Sequence, residues 1–170
     1  MPTIIGATLP IMVMFGIHHS VAPIGSIQLA SVGYEGLFGP GALVSNIAQG
    51  TAALIVGLRS KDENIKQVGI ANGITGLMGV TEPALFSINL PKRYPLIAAL
   101  VGGGAGGFYA GITRTVRFGF GSSGIPAVTL YIGEDTSNFI NILIALVITI
   151  VVTAILTIIL GNRAEKRGEA

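Results

Sequence analysis

The sequence predicts an all-α integral membrane protein with about four transmembrane helices and two re-entrant hairpin regions. Three observations lead there. Of the 170 residues, 51% are hydrophobic and 11% charged, against about 25% charged in soluble domains, and mean hydropathy is +0.75. The last apolar run, Phe139–Leu160, holds 22 residues without a charge, and a span needs about 20. The ten Lys and Arg cluster at the ends of apolar runs. That is the pattern of membrane loops, not of a nucleic-acid groove.

The elements follow in chain order. Pro2–Ile17 is a short apolar block that lacks the basic flank and cleavage site of a signal peptide. Met1 leads straight into it, so a piece of a longer polytopic protein is expected. Ser20–Gly41 reads as a long Gly-rich loop. Ala42–Leu58 spans, and the charged loop Arg59–Lys66 follows. Val68–Leu90 is an interrupted apolar block. Leu96–Ile112 spans and contains a run of glycines. Thr113–Asn138 is a second long Gly-rich loop. Phe139–Leu160 is the last span, entered through a cap at Glu134-Asp135 with Thr136 and Ser137 nearby. Its Thr149, Thr153 and Thr157 share one face and can bond to a neighbouring helix or to their own backbone. Residues 1–162 form the membrane unit, and 163–170 a basic cytoplasmic tail. Both Gly-rich loops are apolar enough to dip back into the protein.

Glu82 is the only charged residue of Val68–Leu90. A charge at the bilayer centre costs about 2.5–3.5 kcal/mol on insertion scales, so such residues mark functional sites. Gly69, Gly73, Gly76 and Gly79 precede the acid, and Pro83 follows it. Together they predict a broken helix, which membranes tolerate where protein or a water-filled cavity satisfies the backbone. Charge counting chooses between a span and a hairpin. A hairpin places Arg59, Lys61, Lys66, Lys92, Arg93, Arg163, Lys166 and Arg167 on one face and Arg114 and Arg117 on the other, eight against two; a span gives five against five. The positive-inside rule selects the hairpin, opening on the cytoplasm with Glu82 near its tip and both chain ends cytoplasmic.

His18 and His19 end the first block. Imidazoles there can bond hydroxyls or carry protons near neutral pH. Adjacent helical residues point about 100° apart, so only one should face a given site. Two His and no Cys leave no metal ligand set, no disulfide and no Cys nucleophile within the chain. Asn46 and Gln49, at i, i+3 on one helix face, can bind sugar hydroxyls or bond to adjacent helices. Gly102–Gly107 satisfies G-x-G-x-x-G, but no βαβ unit surrounds it. The pairs Gly102/Gly106 and Gly103/Gly107 read as helix packing. Arg114 and Arg117 read as structural or solvated. Glu35, in a Gly-rich loop, receives no role.

Gly79-Val80-Thr81-Glu82-Pro83-Ala84-Leu85-Phe86-Ser87-Ile88-Asn89-Leu90-Pro91 resembles a signature of enzyme IIC. That is the membrane domain of the bacterial phosphoenolpyruvate-dependent sugar phosphotransferase system, here of the glucose superfamily's β-glucoside, sucrose and trehalose group. Phe15–Ser20, Asn46–Gly50 and Lys61-Asp62 resemble the same family in order and spacing. Ser87 replaces the usual Gly, and Val80 the usual Ile. The resemblance implies the second, sugar-carrying half of IIC, in the bacterial inner membrane. Its partners would be a first half supplying the dimer scaffold, membrane lipid, and a IIB domain as phosphocysteine donor, with no cofactor. It implies a substrate site drawn from Glu82, His18, His19, Thr81, Asn46, Gln49 and Asn89, with Glu82 and His18 handling the proton of the hydroxyl to be phosphorylated. The rival classes are an ion-coupled sugar porter and a non-catalytic membrane scaffold. Free sugar as the transported product would indicate the porter, and absence of saturable Glu82-dependent sugar binding the scaffold.

The hairpin makes a topological prediction. With no native Cys, single-Cys replacements of Lys61, Arg93, Ser122 and Glu165 form a clean labelling set. An impermeant thiol reagent applied outside should reach Ser122→Cys alone, if it reaches any of the four. Labelling of Arg93→Cys and Lys61→Cys from opposite sides would mean that the Glu82 block spans.

Overall fold

The structure, a computed structural model, describes residues 1–133 and 136–167; the expected cap at Glu134-Asp135 lies outside them. The described residues form helices joined by loops, with no strand among them. It runs α1 (Pro2–Met14), α2 (His18–Val32), α3 (Gly39–Arg59), α4 (Glu63–Leu77), α5 (Glu82–Ala84), a π turn (Leu85–Asn89), α6 (Leu90–Lys92), α7 (Tyr94–Ile112), a 3-10 turn (Ile125–Tyr131) and α8 (Thr136–Arg167). Three helices are long and apolar enough to cross a membrane: α3, α7 and α8, of 21, 19 and 32 residues.

The fourth expected span is instead a hairpin. α1 ends after 13 residues, about 20 Å at 1.5 Å per residue and short of a 30 Å hydrocarbon core. Gly16, at φ 70, turns the chain, and α2 occupies most of the segment expected as loop. Contacts along the helices give the directions. Pro2 lies against Gly41 and Gly107, and Gly6 against Gly103 and Val44. So α1 runs parallel to α3 and antiparallel to α7. At the other end Tyr94 packs on Gly161, and Arg59 Nη2 donates to Asn162 Oδ1 at 2.5 Å. The first residues and the end of α8 therefore sit at opposite ends of the bundle, not on one face as expected. The basic segment also departs from the expected tail: Arg163, Lys166 and Arg167 belong to the final turns of α8.

Val68–Leu90 folds back on itself as its charge pattern predicts, but its glycines act differently. α4 is unbroken to Leu77. Gly69 and Gly76 pack backbone to backbone on Gly57 and Gly50 of α3, and Gly73 lies against Leu54. These three glycines permit close helix approach. Only Gly79, at φ 103, makes the turn. The return arm lies against α4: Asn72 Nδ2 donates to Ser87 Oγ at 2.8 Å, and Ser87 Oγ donates to the Pro83 carbonyl at 2.5 Å. Ser87, the departure from the family signature, thus ties the two arms. Pro91 has no N–H and crowds the carbonyl four residues back, which accounts for the widening of the preceding turn.

The two hairpins enter from opposite ends of the bundle. All eight cations from Arg59 to Lys92-Arg93 and from Arg163 to Arg167 gather at one end, where they border two adjoining clefts or the α3–α4 and α8 termini. Arg114 and Arg117 occupy the other end, beside Pro2 and the start of α3.

α7 is the central helix of the glycine packing. A Cβ at Gly102 would overlap Thr153 Oγ1, and one at Gly106 would overlap Thr149 Oγ1. Thr149 and Thr157 donate to the Ala145 and Thr153 carbonyls at 2.8 and 2.7 Å, so two of the three threonines bond to their own backbone, while the buried Thr153 hydroxyl facing Gly102 has no partner among the described residues. Gly103 and Gly107 meet α1. Leu43, Val44, Ile47, Tyr131, Ile142 and Ala145 form the largest apolar cluster.

Gly106→Leu should therefore force α7 and α8 apart. Overpacking costs about 1–3 kcal/mol or more, so the expected result is a clearly lower unfolding temperature in detergent. An unchanged melting curve would show that the helices do not approach this closely.

Candidate functional site

Each hairpin tip is a glycine with a left-handed backbone followed by candidate polar groups. The first tip reads Gly16-Ile17-His18-His19 and the second Gly79-Val80-Thr81-Glu82. Glu82 opens α5, where an acid is favoured by the helix N-terminus. It is exposed, and its carboxylate has no hydrogen bond or ion pair among the described residues. Thr81 is buried behind it. The depth of this tip follows from its neighbours. Gly79 lies against Ser122 and Gly124, and Asn46 Nδ2 donates to the Ser123 carbonyl at 2.9 Å. The tip is thus level with the middle of α3, with the folded-back Ser122–Gly124 loop behind it.

His18 is half-buried and His19 exposed. Their ring centroids are 3.9 Å apart at an interplanar angle of 39°. The two rings therefore come together rather than diverging as helix geometry suggested. His18 Nδ1 is buried without a partner. The structure does not join the two tips: α2 packs on α1, and the main helix contacts include none between α2 and the Glu82 arm.

Of the two amides, Asn46 bonds the Ser123 loop, and the Gln49 side chain bonds no neighbouring helix among the described residues. Asn89 is fully buried and donates to the Gln49 carbonyl at 3.1 Å. Gln49 is fully buried, with both side-chain polar atoms lacking a partner. Ser45 Oγ and Asn89 Oδ1 are buried and unpaired as well. Polar groups left so under-satisfied are unusual inside a protein; Asn89 joins the end of the Glu82 arm to Gln49, and Ser45 lies against Gly103 of α7. No group of three or more His, Asp or Glu among the described residues could hold a metal.

The strongest electrostatic feature has no signal in local sequence spacing. Glu35 and Arg117 are 0% and 2% exposed. Arg117 Nε donates to Glu35 Oε2 at 2.6 Å, and the two backbones pair through reciprocal N–H···O bonds of 2.8 Å. The carboxylate also accepts from Gly39 N at 2.8 Å and from Phe38 N, capping α3. Arg117 lies 5.1 Å from the Phe120 ring centroid, in cation–π contact. Asn138 secures the same loop. It donates to the Val116 and Tyr131 carbonyls at 2.7 and 2.8 Å and accepts from Val116 N at 2.9 Å. Residues 82 positions apart carry no local signal of pairing, so sequence spacing could not reveal the ion pair.

The phosphotransferase system EIIC family model matches residues 1–103. The chain is 33% identical over 159 residues to the β-glucoside-specific EIIBCA component of Bacillus subtilis, covering 93% of this chain and 26% of that protein. It is 39% identical over 118 residues to the sucrose-specific EIIBC component of Vibrio alginolyticus, covering 68% and 25%. It is 36% identical over 118 residues to the trehalose-specific EIIBC component of B. subtilis, covering 69% and 25%. The chain thus spans about a quarter of the length of these relatives. No solved structure matches.

Arg117→Met should leave the Glu35 carboxylate buried without its cation. Removing one partner of a buried pair costs about 3–5 kcal/mol, so the unfolding midpoint in detergent should fall sharply. Arg117→Lys should recover only part of the loss, because an ammonium cannot reproduce the planar guanidinium contacts. A melting curve unchanged by Arg117→Met would remove the pair from the stability of the fold.

Proposed function

Because the chain belongs to the EIIC family of the phosphotransferase system, we propose that it is the sugar-binding, translocating part of a permease that phosphorylates its sugar during transport. The observation that carries this reading is the unpaired Glu82 carboxylate at the turn of an apolar hairpin. An acid held there without a protein partner has its acceptor oxygens free for a ligand rich in hydroxyls. The names of the relatives point to a β-glucoside or a related disaccharide.

In this reading Glu82 accepts a hydrogen bond from the sugar hydroxyl to be phosphorylated and takes its proton. The hydroxyl oxygen bonds to phosphorus as the donor's S–P bond breaks. Phosphoryl transfer mainly needs positioning and charge handling. The donor is a phosphocysteine of an EIIB domain, since this chain has no Cys. The relatives' names join B and C components in one protein. His18, with its unpartnered Nδ1, and His19 serve the sugar from the first tip. Thr81 shapes the Glu82 turn. Asn46, Gln49 and Asn89 support it from the polar interior. The first half of EIIC covers the exposed faces of both hairpins and supplies a homodimer contact. The protein lies in the bacterial inner membrane with its cation-rich end in the cytoplasm. The end of α8 is then cytoplasmic, and Met1, at the other end of the bundle, is not.

Glu82→Gln keeps the shape but exchanges a charge-assisted acceptor for a neutral one. Hydrogen bonds to charged groups contribute about 1.5–3 kcal/mol, so sugar uptake and sugar-phosphate formation by the intact permease should fall about 10–100-fold. Protein level in the membrane should not change. Uptake at the parent rate would sink the assignment, and uptake that delivers free sugar would replace it with an ion-coupled porter.

A further inference from the structure

A cleft of about 600 Å³ opens between the start of α7 and the end of α8. Lys92, Arg93, Arg163 and Arg167 line it, and no acidic side chain among the described residues does. None of the four forms an ion pair among the described residues. Lys92 also lines the adjoining cleft, where Asp62 and Glu165 face it together with Arg59 and Lys61, so Arg93, Arg163 and Arg167 are the cations confined to the first cleft. Four cations facing one concavity repel one another, and an anion relieves that repulsion.

The backbone adds a second observation. Arg93 has φ 60 and ψ −50, a region that non-glycine residues occupy at a cost of about 1–3 kcal/mol and that recurs in ligand clamps. It lies between Pro91 and Pro95 at the hinge from the Glu82 arm into α7. The strained residue is therefore one of the four cations.

A third observation identifies the anion. Ile97 lines the same cleft and begins an exposed apolar stripe down α7. Ile97, Val101, Phe108 and Ile112 are 52%, 50%, 58% and 65% exposed. Spacings of four, eleven and fifteen residues keep them on one helix face. Contacts place α8 against Gly102 and Gly106, and α1 against Gly104 and Gly107. The stripe runs between those two neighbours, with its cationic head at the end of the helix.

We propose that this cleft is a binding site for the phosphate headgroup of an anionic phospholipid, with an acyl chain lying along Ile97 and Val101. Basic pockets between membrane helices suit such headgroups. A free phosphate or a phosphoprotein would use the cations but not the stripe. The inference is independent of the sugar site. Its occupant braces α7 against α8 at the point where the Glu82 arm ends.

Native mass spectrometry of the intact protein in detergent, with phosphatidylglycerol or phosphatidylcholine added, tests it. The parent should retain phosphatidylglycerol in preference. Arg93→Gln with Arg163→Gln should weaken that retention about thirtyfold, from the attraction of two basic residues near a membrane surface. Lys61→Gln with Lys66→Gln removes equal charge from the same end outside this cleft and should leave retention unchanged. Ile97→Asn should weaken lipid retention, and millimolar inorganic phosphate should not displace the lipid. All of these side chains lie at the surface or rim, and unchanged melting temperatures would verify that the variants are folded. Equal losses in both double variants, or no preference for the anionic lipid, would overturn the site. Displacement by phosphate together with indifference to Ile97→Asn would assign the cations to a water-soluble anion and overturn the lipid.

Discussion

The buried Glu35–Arg117 pair is the constraint on which the non-cationic end of the bundle depends. One carboxylate caps α3, and one guanidinium neutralises it from a loop 82 residues away. A Cβ on Gly39 would overlap both charged groups, and Gly25 of α2 packs directly on the carboxylate. Three segments thus meet at one ion pair: the return of the first hairpin, the start of the first span, and the α7–α8 connection. Burying two charges is expensive unless hydrogen bonds complete the pair. Here two backbone amides, a paired backbone bridge and an aromatic face do so.

That pin has a consequence for the hairpin tips. Membrane helices gain little from apolar contact alone, because lipid is as apolar as leucine. The bundle relies on backbone approach instead, with glycines of α4 on α3 and glycines of α7 on α8 and α1. Such packing fixes distances closely. It positions the Glu82 turn at mid-depth beside Ser122–Gly124 while leaving its carboxylate open. The first tip is held differently, through α1 and through the contact of Gly25 with Glu35. The two tips therefore belong to separately anchored units, and Asn89 joins the end of the Glu82 arm to Gln49.

The contrast between the two bundle ends is electrostatic. At one end Arg117 is consumed by an internal pair. At the other, Lys92, Arg93, Arg163 and Arg167 have no acidic partner among the described residues. The first arrangement locks the chain, and the second attracts anions.

Sequence by itself determined the class of the protein, the three long apolar helices, the hairpin at Val68–Leu90 and the isolation of Glu82 as the one acid in that block. Each rests on composition or local spacing: a 22-residue apolar run, eight cations against two, one acid in an apolar block. Only the tertiary structure decided the rest. Pro2–Ile17 is apolar whether it crosses or turns back, and Gly16 settles that through its backbone angle. Gly69, Gly73 and Gly76 could have broken α4, and it is Gly57, Leu54 and Gly50 of α3 opposite them that make them packing sites. His18 and His19 belong on different helix faces by periodicity, yet their rings meet. Glu35 and Arg117 looked unconnected because pairing across 82 residues is a property of the folded bundle. Local chemistry repeats along a sequence and can be read there; contact between distant segments exists only once the helices have packed.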